Sequence, residues 1–453
     1  MSEELIIKEI DDNKEEYIEF LRGLIKAKSY NPPGDEKNVA LKIKDYLNGE
    51  RIKCEILPFG DNRANLLAFL NDNFNYKNLL YNGHMDVVPP GNEEEWKNPP
   101  LSATIKRNKL IFGRGTTDMK GPLAAMIIAL KILKKLDLNL SGNLILNAVA
   151  DEETGGKFGT KWSLDNKLNE IKCNFSVIGE PSGLNPLPKA IILGEKGHLQ
   201  IRIITNGISC HSSTPFIGEN AIYMMSNIIQ NLDNLEKYIP KVKPPLSLEE
   251  LKKLISESFP SEEIFERIYS EQPLLQNVVK SLTQFTKSLN MINGGIKENV
   301  VPDRCEAIID FRLLPDQTTE DVIDALKKVI KDLGYQIRDE PLGKPEDVFV
   351  YLDIFNQNEA SYWKDWESSA DLKMFHNIVE KIYKKKPFNF LFPACADAHY
   401  LRNKGYCPAT ILFGPGSAAT AHAINEYIEI QDFINAIKVY TLFAYNFLKE
   451  SND

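Results

Sequence analysis

The sequence predicts an α/β protein interrupted by a smaller α+β unit, and three observations predict it. Up to about residue 190, short apolar runs of the kind buried on both faces alternate with helical patterns, as in a sheet with crossover helices. Near residue 190 the pattern changes to the polar–apolar alternation of a half-exposed strand. After about residue 352 the first character returns. A chain of 453 residues is too long for one ordinary domain. The expected division is 1–191 and 353–453 for the larger unit and 192–352 for the inserted one.

The elements follow in order. The first 60 residues read as an amphipathic helix, a loop at Asn31-Pro32-Pro33-Gly34 and a second helix over roughly 36–47. NLLAFL, NLLYNGHMDVV, LILNAVADEE and FSVIGE read as buried strands. LAAMIIALKILKKL reads as a helix, with Pro122 suited to its first turn. AIILGEKGHLQIRIITNG reads as one half-exposed strand. A helix over about 220–237, a Pro- and charge-rich insert (about 239–290), and a strand–helix–strand run (CEAIIDFRLLP, TEDVIDALKKVIKDLG, EDVFVYLDIF) complete the smaller unit. ATILFGPG is a further strand, and the chain ends in a helical region.

Composition narrows the classes. Hydrophobic residues at 43% and charged ones at 26% are globular values. A net charge of −9, with no basic run longer than Lys384-Lys385-Lys386, argues against nucleic acid or an anionic membrane as partner. Six scattered cysteines form no C-x-x-C pair and give no disulfide framework. The acidic, helical N-terminus lacks the regions of a signal peptide, and the longest apolar helical stretch is about half of what a bilayer needs. A soluble cytoplasmic protein is the expectation.

The chemistry lies at the strand ends. His84 closes NLLYNGH, with Asp86 two residues on and on the same face of an extended segment. Asp118 lies in the Gly-rich turn GRGTTDMKG before a helix, where it would serve equally as an N-cap. Glu152 and Glu153 close an apolar strand in ADEETGG, which read alone is also a solvated acidic turn. Glu180 ends FSVIGE, and His422 follows a Gly-Pro-Gly loop. Each motif is weak by itself; five oxygen and nitrogen donors at strand ends of one pattern are not. Two imidazoles and three carboxylates suit two divalent ions, zinc first, with cobalt or manganese as alternatives. Glu152 is then free to act as base on a metal-bound water.

The ordered motifs GHMDVVP, GRGTTDMKG, ADEETGG, IGEPSG, HSSTPFIGENAI, NVVPDRCEAIIDFRLLP and FGPGSAATAHAINEY resemble the M20 metallopeptidase family, within it the acetylornithine deacetylase / succinyl-diaminopimelate desuccinylase branch. The resemblance implies a two-metal exopeptidase-like catalytic domain with an inserted ferredoxin-like lid that pairs two subunits into a homodimer. It implies that Asp118 bridges the metals, with His84 and Glu180 on one and Glu153 and His422 on the other. Glu152 would be general acid/base in attack by metal-bound hydroxide, with Asp86 supporting the ligands. His211 would reach a partner's active site and donate to the oxyanion, and Asn299 and Arg312 would hold the substrate carboxylate.

The implied reaction removes an N-acyl group from an amino acid, and Glu180, rather than Asp, leans the same way. The alternative is a dipeptidase or carboxypeptidase acting on short peptides. Two features depart from the family pattern. PACADAH (393–399) has Cys395, Ala396 and His399 where relatives carry hydroxyls and Arg, and the 239–290 insert lengthens the lid. His198 and His376 fit no motif and read as structural.

Overall fold

The computed structural model describes residues 2–71, 76–184 and 187–449. Its larger sheet is built from β1 (Lys53–Pro58), β2 (Ala64–Phe69), β3 (Asn78–His84), β4 (Asn143–Val149), β5 (Phe175–Ile178) and β6 (Ala190–Glu195). The smaller sheet holds β7 (Gly197–Asn206), β8 (Thr286–Gly294), β9 (Arg304–Leu313), β10 (Ile337–Arg338) and β11 (Phe349–Asn358). The chain then returns to the larger sheet with β12 (Ser361–Tyr362), β13 (Phe388–Phe392) and β14 (Thr410–Leu412).

The larger sheet runs β1-β2-β4-β3-β5-β14-β6-β12, with β13 also on β6. Its centre is parallel, β3 lying between β4 and β5. The pairings of β1 with β2 and β2 with β4 are antiparallel. Strands β2, β3, β4 and β5 are buried along their whole length, which is why they read as unbroken apolar runs. The helix Lys120–Lys135 covers one face together with the C-terminal helix Ile430–Leu448. Their buried Leu, Ile and Phe side chains form one core with β3 and β4. Because β3, β4 and β5 are parallel, His84, the Glu152–Glu153 turn and Glu180 leave the sheet at the same edge.

The structure departs from the sequence expectation in four places. The first amphipathic segment is two helices, Ser2–Asp12 and Lys14–Lys26, separated at Asn13. The segment 190–207 is not one half-exposed strand. Its first half, β6, is buried throughout and belongs to the larger sheet, and its second half, β7, alternates and belongs to the smaller one. The chain changes sheets at Lys196 and returns between β11 and β12. Strand β8 and strand β13 were hidden, the first in the insert and the second in an unremarkable FNFLF.

The insert itself folds as three helices, Leu248–Ser256, Glu262–Ser270 and Pro273–Ser281. Their apolar faces (Leu251, Ile255, Phe265, Val279) pack into the core that contains β13 and Ile192, not into the core of the smaller sheet. The insert is therefore a strap over the larger sheet. Lys196, at the sheet crossing, fastens it by donating to the carbonyls of Ser281 (2.9 Å) and Gln284 (2.6 Å).

Candidate metal centre

The four strand-end segments and the His422 loop converge. His84 Nε2 lies 3.1 Å from Asp118 Oδ1 and 3.8 Å from Glu180 Oε1. On the other side of the same carboxylate, His422 Nε2 lies 3.1 Å from Asp118 Oδ2 and 3.0 Å from Glu153 Oε2. Two trios of potential ligands result, His84–Asp118–Glu180 and Asp118–Glu153–His422, each with its donor atoms within 4.8 Å of one another. Asp118 is common to both and offers one oxygen to each. Glu152 belongs to neither trio; its Oε2 stands 3.8 Å from His84 Nε2 and its side chain faces the adjoining cavity.

Local structure fixes each donor. Gly83 and Gly179, at the tips of β3 and β5, both pass over Met119. A Cβ on either would lie 2.5 Å from the Met119 methyl, so a larger residue would have to displace the Met119 side chain packed under both strand tips. The turn after β4 bends at Asp151 (φ +73°), a conformation costly for a residue with a Cβ. Its carboxylate is held by Arg63 (3.2 Å), Thr154 Oγ1 (2.8 Å) and the N–H of Phe158 (3.0 Å). That bend sends Glu152 and Glu153 in different directions.

Asp86 ties the turn to β3. Its carboxylate accepts from the backbone N–H groups of Glu152 (3.3 Å) and Glu153 (3.2 Å) and from Asn31 Nδ2 (2.9 Å). The Asp86 carbonyl accepts from His84 Nδ1 at 2.8 Å, which turns Nε2 toward Asp118 and Glu180. Glu153 is clamped likewise: Oε1 accepts from the Val88 N–H at 3.2 Å, so Oε2 is the atom turned to His422.

Two residues that sequence reasoning passed over complete the frame. Buried Glu426 accepts from the backbone N–H groups of Gly115 (3.1 Å), Thr117 (2.7 Å) and Asp118 (3.1 Å) and from Arg114 Nη1 (2.6 Å). Arg114 Nη2 donates in turn to the carbonyl of His422 at 3.1 Å. One buried ion pair thus sets the Asp118 turn against the His422 loop. The signal was an Arg in a Gly-rich turn and a Glu four residues after a candidate ligand.

Electrostatics test the donor set for a cation. Burial pushes Glu152 and Glu180 well above the usual carboxylate range, and nearby Glu, Asp118 and Asp397 carboxylates add to the rise. Burial also raises Glu153, with Asp118 adding to it. Burial works against ionised Asp118 too, but hydrogen bonds from His422 and His84 outweigh it and hold its carboxyl low. His422 is driven up to about 10 by its bonds to Asp118 and Glu153. In the protein alone, protonated imidazoles neutralise carboxylates that would otherwise repel. Divalent cations fit the same place and would neutralise them with better charge match. The imidazole and carboxylate donors suit zinc, cobalt or manganese.

The cavity beside the centre measures about 190 Å³ and is lined by Glu152, Asp397, His399, His422, His198 and Arg312, among others. His198, read as structural, lines the cavity: its Nε2 donates to Asp310 Oδ2 at 2.8 Å, and Arg312 Nε donates to Asp310 Oδ1 at 2.8 Å. Arg312 thus pairs with Asp310 while lining the cavity. Asn299 and His211 lie elsewhere, on an exposed ribbon of the smaller unit where His211 pairs with Val300. Their segments touch each other through Ser212 N–H to Asn299 O (3.1 Å), and neither residue lines the cavity.

His399 is neutral, its pKa pressed down to about 4 by burial. A further grouping, Glu195–Cys395–His399, borders the cavity. Its donors are already engaged: Glu195 accepts from Ser361 Oγ and the Ala396 N–H (both 2.8 Å), and His399 Nδ1 donates to the Ala396 carbonyl (2.7 Å). His376 bonds Asn389 (2.7 Å) and stays structural.

Comparison with known proteins decides the family. The profile of peptidase family M20/M25/M40 matches residues 80–446. The chain belongs to that family. A probable succinyl-diaminopimelate desuccinylase of Staphylococcus aureus (strain N315) is 28% identical over 441 residues, 97% of this chain and 99% of the relative. A succinyl-diaminopimelate desuccinylase of Rickettsia rickettsii (strain Sheila Smith) is also 28% identical, over 96% of this chain and 99% of its own.

Among solved structures, a M20 family metallo-carboxypeptidase from Sulfolobus solfataricus superposes with TM-score 0.78 at 23% identity, covering 95% of this chain and 99% of that one. Human carnosine dipeptidase 1 gives TM-score 0.75 at 16% identity, covering 99% of both chains. These likenesses show the fold: an M20 catalytic sheet interrupted by a second, smaller sheet. This M20 chain is thus a metallohydrolase. Among its described residues no helix is long and apolar enough to cross a membrane.

Proposed function

We propose that this M20 enzyme removes an N-acyl group from an amino acid bearing a free carboxylate, using two divalent ions, zinc in the first instance. The observation that carries the reading is the pair of ligand trios sharing Asp118, with Glu152 outside both and turned to the cavity. When bound, the ions would polarise the amide carbonyl and lower the pKa of the attacking water. His84, Asp118 and Glu180 would hold one ion, and Asp118, Glu153 and His422 the other. Glu152 takes the proton of the water and passes it to the leaving nitrogen. Asp86 fixes the His84 tautomer and the Glu152–Glu153 backbone.

Arg312, pinned by Asp310 at the cavity wall, receives the substrate carboxylate with the fork of its guanidinium. The two curated relatives, named as desuccinylases, support the acyl-amino-acid class over the peptidase alternative. The smaller-sheet unit, expected over 192–352 and running in the fold from β7 to β11, acts as the lid, while the helices of the insert strap the larger sheet. His211 and Asn299, exposed and outside the lining of their own chain's cavity, serve the site of a second copy, His211 as oxyanion donor. The lid carries an exposed edge strand, β8, with Met291 (63%) and Ile292 (55%) open, and Phe216 (98%) beside the His211 ribbon. Such an edge and such apolar exposure support pairing through the lid into a homodimer. Six free cysteines accord with a cytoplasmic setting.

The test is hydrolysis of N-acetyl-ornithine, N-succinyl-diaminopimelate and a dipeptide panel by zinc-loaded protein. Acyl-amino-acid cleavage exceeding dipeptide cleavage is expected; the reverse order makes the enzyme an exopeptidase.

A further inference from the structure

The insert has a second consequence beyond strapping the larger sheet. Its last helix, Pro273–Ser281, places Leu275, Val278, Val279 and Leu282 at helical spacing on the core beneath. Leu274 and Val278, one turn apart, form the rim of a separate cavity of about 250 Å³. Strand β13 supplies the floor through Phe390, and Pro181, Pro393 and Ala419 close the sides. The wall is almost wholly carbon; Ser182 brings the one side-chain hydroxyl. Leu274 is 73% exposed, a cost in water that a ligand passing over it would relieve.

This cavity borders the metal centre through three loops. Pro181 follows Glu180 directly, Pro393 precedes Ala394 of the metal cavity, and Ala419 stands three residues before His422. A substrate whose carboxylate is held at Arg312, on the lid side, and whose amide lies at Asp118 has its remaining substituent to place. That substituent is the group on the far side of the scissile carbonyl. The Cys395–Ala396 pair in the wall of the metal cavity offers no hydroxyl to a polar acyl tail.

We propose that the cavity under Leu274 and Val278 is an acyl subsite that takes an unbranched or branched apolar acyl chain of about four to eight carbons. The inference rests on the amidohydrolase reading and narrows its substrate class from short or dicarboxylic acyl groups to apolar ones. Dry, carbon-lined cavities take apolar ligands readily. Each methylene entering should favour binding by roughly fourfold.

The experiment uses N-acyl-glycines from acetyl to octanoyl, together with N-succinyl-glycine. Binding is measured by calorimetry on the zinc-loaded Glu152→Gln protein, and kcat/KM on the zinc-loaded wild type. Both should climb with chain length and exceed the values for the succinyl compound. Leu274→Asp should flatten the slope, and Leu274→Trp, which fills the rim, should move the optimum to shorter chains. Position 274 is exposed, so both variants should keep the parent melting temperature. A flat slope in the parent, a slope that both variants leave unchanged, or dependence on the amino-acid side chain instead of the acyl chain overturns the proposal. Turnover of acyl-glycines without chain-length preference sinks the subsite alone. Chain-length-dependent binding with no turnover supports the subsite and retires the amidohydrolase reading.

Discussion

The Glu426 carboxylate accepts the backbone N–H of Asp118 at 3.1 Å while bonding Arg114 at 2.6 Å. The carboxylate shared by both ligand trios is thus positioned from behind by a residue that touches neither. Glu426→Gln should keep the fold but loosen the Asp118 turn. Metal affinity is expected to fall by roughly 10–100-fold, as with other outer supports of metal ligands, read by competition with a chromophoric chelator. Unchanged affinity would make the Arg114–Glu426 pair a matter of stability alone.

Glu152 is the next test. Glu152→Gln should depress kcat by roughly 10²–10⁴-fold, the range of a lost general acid/base, while elemental analysis still finds two ions per chain. Loss of an ion in this variant would mean that Glu152 is a ligand and not a proton carrier.

His211 distinguishes one copy from two. His211→Ala should lower kcat by roughly 10²–10³-fold, as removal of an oxyanion donor does. Mixing inactive His211→Ala and Glu152→Gln proteins under subunit exchange should restore part of the activity, since one mixed site per dimer then holds both intact residues. A mixture as inactive as its parents would place His211 outside the partner's site.

Asp310 links substrate binding to acid stability. Burial alone would raise its pKa, but His198 and Arg312 outweigh it and bring the pKa down to about 2. A carboxylate held low in the folded state stabilises above its unfolded pKa of roughly 4, and that contribution disappears as pH falls toward 2. Its size is about 2 kcal/mol. Asp310→Asn should therefore lose stability near neutrality and little near pH 2, by denaturant titration at both. It should also raise KM for carboxylate-bearing substrates by freeing Arg312.

Much of the centre was legible because parallel strands must end at one edge. A His, a Glu pair and a Glu at the ends of β3, β4 and β5 had to meet once those runs were recognised as strands. Asp118 was ambiguous, since an N-cap and a bridging ligand leave the same trace before a helix; only the two imidazoles at 3.1 Å separate the cases. His198, read as structural, sits at the start of β7, where side-chain direction depends on register, and register with β9 brings it beside Asp310 and Arg312.

The insert misled for a similar reason. Its helices are amphipathic in sequence, but periodicity says which face is buried and not against what. The change of sheet at Lys196 was equally hidden, because β6 and β7 are both strands and differ only in whether one face or two are covered.

The most direct measurement is anomalous diffraction from crystals of the zinc-loaded protein. Two peaks about 3.5–4 Å apart, one beside each carboxylate oxygen of Asp118, are expected, with His84 and Glu180 at one and Glu153 and His422 at the other. A single peak, or two peaks that leave Asp118 unshared, would contradict the two-ion account.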